Sequence, residues 1–125
     1  MNKGLAGKRI LVVEDEYFIA TDVKDALRKQ GATVIGPVAD LEQGLALAAD
    51  DSLDGAVLDV NLEGAQTFPI ADLLMRASVP FVFVTGYDAW ALPEPYRGAP
   101  RIAKPIAMKA LLATIERLVV LEPTE

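Results

Sequence analysis

Short runs of aliphatic and β-branched residues recur along the chain, each followed by a stretch in which apolar positions return every three or four residues. The first run, Ile10-Leu11-Val12-Val13, stops at Glu14-Asp15-Glu16, the pattern of a strand covered on both faces. Ile19, Val23, Ala26 and Leu27 then follow at helical spacing and Gly31 supplies a stop, so the pattern predicts a helix from about Asp15 to Gln30. Thr33 to Gly36 reads as a weaker strand ended by Gly36-Pro37. Asp40 with Gln43 three residues on resembles a capping box that opens a helix through Ala49. Ala56 to Val60 is a third strand, followed by a loop from Asn61 to Gly64 and a helix carrying Ile70, Leu73 and Leu74, with Pro69 tolerable only in its first turn. Phe81-Val82-Phe83-Val84, closed by Thr85-Gly86, is the strongest β signal, and a short fifth strand spans Arg101 to Lys104. The last helix sets Met108, Leu111, Leu112, Ile115, Leu118 and Val119 on one face. Between the last two strands Pro93, Pro95 and Gly98 exclude a long helix and leave Ala89 to Leu92 one or two turns.

Strand and helix alternating in this way predict an α/β fold: a doubly wound, five-stranded parallel sheet with right-handed crossovers and helices on both faces. At 125 residues the chain has the length of one domain, with residues 1–7 expected to form a flexible tail and no second module expected in 1–125. A hydrophobic fraction of 52% suffices for a core. The net charge of −6 and the lack of a basic stripe disfavour nucleic acid as a partner. No apolar run approaches the roughly eighteen residues that a membrane span requires, and the opening MNKGLAGKR lacks the apolar core of a secretory signal, so a cytoplasmic protein without membrane contact is expected. Cysteine and histidine are both absent, which removes disulfides, thiolate and imidazole metal ligands, Ser/His/Asp triads and an internal phosphohistidine. Any chemistry must use carboxylates, hydroxyls and amines.

In an open parallel sheet, ligands bind beyond the carboxyl ends of the strands. Those ends hold Glu14 and Asp15, Asp59, Thr85 and Lys104. Singly, each has an ordinary structural reading: the acids can favour a helix N-terminus, Thr85 can form a turn, and Lys104 can be a solvated amine. Together they imply a site. Two unit charges about 4 Å apart repel by on the order of 4 kcal/mol at an effective dielectric of 20, so three gathered carboxylates need neutralising. Lys104 supplies one positive charge, and an oxygen-only donor set matches a hard cation, Mg2+, as cofactor. A carboxylate oxygen of Asp59 could then attack phosphorus, with Lys104 and the Thr85 hydroxyl binding the equatorial oxygens.

These residues resemble the receiver domain of two-component response regulators, whose fold is flavodoxin-like. The resemblance covers nearly the whole chain and rests on VVEDE (Val12 to Glu16), VLDVNLEG (Val57 to Gly64), FVTGY (Phe83 to Tyr87) and AKP (Ala103 to Pro105) in that order and spacing. It implies that Asp59 is the phosphorylated residue, and that Asp15, Asp59 and the backbone carbonyl of Asn61 ligate Mg2+ while Glu14 acts through a metal-bound water. It implies further that Thr85 and Lys104 bind the phosphoryl oxygens and that the bond preceding Pro105 is cis. PFVFVTGYD also resembles the FAT GUY subgroup, with Val84 where the name-giving pattern has Ala, and this implies a sensor histidine kinase of HWE or related type as donor. Arg101 stands where most receivers carry the aromatic partner of the switch threonine. Two readings of the segment Gly86-Tyr87 with the Trp90 region stand side by side: it reorganises on phosphorylation, or Tyr87 and Trp90 simply cover the core; Asn61 and Tyr87 are candidates for setting the phosphoryl lifetime.

The reading is a phosphorylation switch that acts on a downstream protein, relays its phosphoryl group or drains it from a kinase. It is not an enzyme on external substrates. Two alternatives stand beside it: a receiver-shaped binding module independent of phosphorylation, and a Mg2+-dependent phosphohydrolase or nucleotide-binding enzyme. The last is disfavoured by Asn61, where a second acid would be wanted, and by the lack of a glycine-rich loop after the first strand.

Overall fold

A computed structural model describes residues 4–86 and 92–121. Five parallel strands, β1 (Arg9–Val13), β2 (Thr33–Val38), β3 (Gly55–Asp59), β6 (Phe81–Thr85) and β7 (Arg101–Ala103), form one sheet in the order β2-β1-β3-β6-β7. Two further strands, β4 (Asn61–Leu62) and β5 (Ala65–Gln66), pair antiparallel as a small separate ribbon. The helices are α1 (Tyr17–Lys29), α2 (Leu41–Ala48), α3 (Phe68–Arg76) and α4 (Met108–Glu116). The doubly wound α/β architecture is therefore present with four α-helices among the described residues. Among the described residues between β6 and β7 a 3-10 turn spans Glu94–Tyr96, where the prolines exclude a longer helix.

Strand periodicity sorts the core into two layers, because successive side chains point to opposite faces. Ile10, Val12, Val57, Val82 and Val84 pack with Val23 and Leu27 of α1 and Leu111 and Ile115 of α4. Leu11, Val13, Ala56, Leu58, Phe81 and Phe83 pack with Ala48 of α2 and Ile70, Ala71 and Leu74 of α3. Each large apolar side chain buried in this way contributes about 1.5–3 kcal/mol. The predicted stripe forms in part on α4, where Leu111 and Ile115 are fully buried with Met108 and Leu112 beside them; Leu118 and Val119 pack on the same core from beyond the end of the α-helix. Beyond α4 the chain continues as a π turn, Arg117–Leu121.

Four local expectations change. Residues 4–7 are not part of a flexible tail: Leu5 is buried beside α1, its N–H donates to the Gln30 carbonyl at 2.9 Å, and the Gly7 N–H donates to Gly31. One leucine, whose apolar surface finds room under the end of α1, is enough to anchor the turn. Helix α1 starts at Tyr17 rather than Asp15, because Glu14, Asp15 and Glu16 turn their carboxylates to other partners and no side chain caps the helix. Strand β2 continues through a cis Gly36–Pro37 bond to Val38. An edge strand tolerates the missing proline N–H, and Gly36, at φ +98, sits where a Cβ would lie 2.9 Å from the Val38 nitrogen and 3.0 Å from the Val12 carbonyl oxygen. The Asn61 to Gly64 loop is largely the β4–β5 hairpin, turning at Glu63-Gly64 with Gly64 at φ +84.

Other expectations hold. Asp40 caps α2, its Oδ1 accepting the Gln43 N–H at 2.8 Å, and Pro69 lies in the first turn of α3. Helix α3 ends in a Schellman arrangement: Val79 N–H donates to the Leu74 carbonyl and Ser78 N–H to Met75, with Ser78 in the left-handed region at φ +59. A side chain there costs free energy that glycine avoids. Ser78→Gly is expected to stabilise the fold by about 0.5–1 kcal/mol, the unfolded-state entropy of glycine offsetting part of the relief. Urea denaturation measures this, and an unchanged or lowered midpoint would contradict it.

Candidate functional site

The ends of β1, β3, β6 and β7 meet at one edge of the sheet. Leu58 pairs with Val13 and with Phe83, so Glu14 and Asp59 emerge side by side from adjacent strands. The Val60 N–H donates to the Val84 carbonyl at 2.9 Å and aligns Asp59 with the end of β6. Ala103 stands opposite Thr85, and the Lys104 N–H donates to the Thr85 carbonyl at 2.7 Å, which ties the lysine backbone to the threonine strand. The Lys104–Pro105 bond is cis. All five strand-end residues singled out from the sequence therefore lie around one mouth.

Lys104 is the hub. Its Nζ lies 3.0 Å from Asp59 Oδ2, 3.3 Å from Glu14 Oε2 and 3.1 Å from Glu16 Oε1. Glu14 and Asp59 are buried, and Asp15 is half-buried. Burial pushes the Glu14 carboxyl up to about 7; the Glu16 N–H and Lys104 oppose the rise, and the charge of Asp59 adds to it. For Lys104, burial pulls the pKa down, but the hydrogen bonds to Asp59 and Glu16 and the charges of Asp59 and Glu14 outweigh it, so the ammonium is held above the usual lysine range.

The remaining bonds orient the carboxylates. Asp59 Oδ1 accepts the Asn61 N–H at 3.3 Å, Glu14 Oε2 accepts the Glu16 N–H at 3.0 Å, and Asp15 Oδ2 accepts the Glu63 N–H from the hairpin at 2.8 Å. The buried Thr67 hydroxyl donates to the Asp59 carbonyl at 2.7 Å and fixes the backbone beneath the carboxylate. Carboxylate oxygens of Glu14, Asp15 and Asp59 lie within 4.8 Å of one another, a donor set suited to a hard divalent cation. The Thr85 hydroxyl is buried at the same edge and has no hydrogen-bond partner among the described residues. A buried donor without a partner costs free energy, so a ligand oxygen would satisfy it.

Other sequence candidates fall differently. Asn61 is exposed and opens β4, its side-chain oxygen accepting from Gln66 at 3.4 Å. Gly86 is exposed directly after Thr85, whereas Tyr87 and the Trp90 region lie outside the described residues. Arg101 stands opposite Phe83 at the far end of β7, and its Nη2 donates to the Arg97 carbonyl at 3.0 Å. Two participants escaped sequence reading. Thr67 carries no signal in the pattern, and Glu16 appears there only as the last acid of the run Glu14-Asp15-Glu16.

Comparison with known proteins agrees with this geometry. The family model described as response regulator receiver domain matches residues 10–116. The chain is 32% identical over 115 residues to the phyllosphere-induced regulator PhyR of Methylorubrum extorquens, covering 86% of this chain and 42% of PhyR. It is 28% identical over 113 residues to the transcriptional regulatory protein PdtaR of Mycobacterium tuberculosis, covering 87% of this chain and 55% of PdtaR. The chain thus spans about half the length of the curated relatives it matches. The solution structure of SdrG from Sphingomonas melonis superposes with a TM-score of 0.78 at 35% identity, covering 90% of this chain and 97% of SdrG. With a five-stranded parallel sheet in this order, an acid cluster at its carboxyl edge and a family match over nearly the whole described chain, the protein belongs to the response regulator receiver domain family.

Proposed function

We propose that Asp59 accepts a phosphoryl group from a histidine kinase and that the chain signals through the changed surface or by passing the group on. One observation carries this reading: the buried Asp59 carboxylate lies 3.0 Å from Lys104 Nζ, at the same edge as the buried, unsatisfied hydroxyl of Thr85. An Asp59 oxygen forms a bond to phosphorus as the phosphorus–nitrogen bond of the donor breaks, and the imidazole nitrogen leaves with the electron pair. Lys104 exchanges part of its contact with the acids for a phosphoryl oxygen. The Thr85 hydroxyl donates to another, and the Asn61 N–H, already 3.3 Å from Asp59, holds the carboxylate in place. Glu14, Asp15 and Asp59 would hold Mg2+, which neutralises the charge gathered during transfer; the carbonyl of Asn61 is proposed as a further ligand.

The donor histidine lies outside this sequence, which has none. The FAT GUY-like run Phe83 to Tyr87 supports a sensor kinase of HWE or related type, and the exchange is proposed to take place in the cytoplasm. The response is proposed to spread through the segment that follows Thr85 and Gly86, because Arg101 and not an aromatic residue occupies the position of the usual switch partner. Tyr87 and Asn61, two residues past Thr85 and Asp59, are proposed to tune the phosphoryl lifetime. Hydrolysis of external phosphomonoesters is disfavoured, since the residue two places after Asp59 is Asn61 and no second acid is available there.

Intact mass after incubation with acetyl phosphate tests the proposal. A gain of one phosphoryl group that requires Mg2+ is expected. A chain that gains nothing from acetyl phosphate or from a phosphorylated kinase would overturn it.

A further inference from the structure

We infer that Glu16 is a positioning and selectivity residue for phosphoryl transfer: it engages Lys104 at the mouth of the site and slows transfer from small, highly charged donors. The inference rests on the phosphoacceptor reading of Asp59.

Three observations support it. First, Glu16 bridges a long sequence gap to reach Lys104, 3.1 Å from its Nζ, so the lysine is shared among three carboxylates rather than two. Second, this contact is not a by-product of helix capping. Glu16 is the N-cap residue of α1 and its carbonyl accepts the Ala20 N–H, yet its side chain makes no capping bond. An N-cap side chain ordinarily serves the first helical N–H groups, and here the carboxylate faces the site instead. Third, the side chains of Glu14 and Asp59 are 3% and 6% exposed, whereas that of Glu16 is 59% exposed. Glu16 is thus the member of the cluster at the solvent boundary, which an incoming donor meets first.

The consequence is electrostatic. A phosphoryl group must draw Lys104 toward its own oxygens, and Glu16 competes for one of the three ammonium protons. Its charge also repels an approaching anion. A protein donor can offset that repulsion through contacts elsewhere on its surface, but a small phosphodonor has none to offer. An exposed ion pair adds little to stability, so removing it changes transfer more than folding.

The test compares the native chain, Glu16→Gln and Glu16→Asp, each with acetyl phosphate, a dianion near neutral pH, and with phosphoramidate, which carries a smaller net charge. At low salt Glu16→Gln is expected to accept from acetyl phosphate about three- to tenfold faster than the native chain. The gain should be smaller with phosphoramidate and should shrink as salt is added. Glu16→Asp keeps the charge and is expected to stay within about twofold of native, with a similar salt dependence. A Glu16→Gln variant that matches the native chain with both donors would overturn the inference, as would one that accelerates both equally at every salt concentration. A native chain that accepts from neither donor nor kinase would instead remove the phosphoacceptor reading, and this inference with it.

Discussion

Asp59→Asn is expected to abolish phosphoryl gain while leaving the fold at least as stable as the native chain. The amide oxygen of asparagine is neutral and does not form the acyl phosphate, so no acceptor remains at the position that Lys104 and Thr85 flank. The stability half of the prediction comes from charge. Asp59, Glu14 and Asp15 present oxygens within 4.8 Å of one another, and the charge of Asp59 helps to raise the Glu14 pKa. Removing one of the three negative charges relieves that repulsion and leaves Lys104 to Glu14 and Glu16. The backbone beneath is secured independently by the Thr67 hydroxyl and by the strand ladder. Intact mass and thermal denaturation of the same sample measure both parts. A phosphoryl group on the Asp59→Asn variant would mean that another side chain is the acceptor, and a lower melting temperature would mean that the Asp59–Lys104 pair outweighs the repulsion.

Lys104→Met is expected to slow phosphoryl acceptance by about 10²- to 10³-fold, the scale of losing one charged donor aimed at developing negative oxygen. It should also lower stability, for a reason the Asp59 variant does not share. The side chains of Glu14 and Asp59 are 3% and 6% exposed and both depend on the Lys104 ammonium, so the substitution leaves buried acids without their cation. Breaking a fully buried pair costs about 3–5 kcal/mol. Here about 1–3 kcal/mol is expected, because Lys104 retains contact with solvent and Glu14, already pushed up to about 7 by burial, readily takes up a proton. Denaturant unfolding and the time course of mass gain from acetyl phosphate provide the two readouts. Native-like transfer in this variant would show that the lysine serves the fold alone. Only the lysine substitution is thus predicted to lower stability while both impair transfer, a contrast that follows from one lysine shared among several acids.

Much of this protein is determined locally. Ile10 to Val13, Ala56 to Leu58 and Phe81 to Val84 read as strands buried on both sides, because an uninterrupted apolar run bounded by charge or turn residues has no solvent face to offer. The stripe from Met108 to Val119 could only be an amphipathic helix. Since four of the five strands end in polar residues and parallel strands present those ends together, Glu14, Asp15, Asp59, Thr85 and Lys104 are legible as a candidate site from the sequence. Chain-local pattern does not carry the choices that depend on which distant surface is within reach. Leu5 is anchored because a gap exists beneath the end of α1, and β2 passes Pro37 because the edge of a sheet leaves one side of the strand unpaired. The Asn61 to Gly64 loop forms a ribbon whose Glu63 N–H steadies Asp15, forty-eight residues away in sequence. Glu16 read as one more acid in a run, and only the packing of β7 against β6 brought Lys104 to within 3.1 Å of it. Periodicity and residue type decide what each segment must bury, because those depend on neighbours along the chain; which hydrogen bond or charge a side chain finally meets is decided by segments far apart in sequence, and only tertiary packing sets that distance.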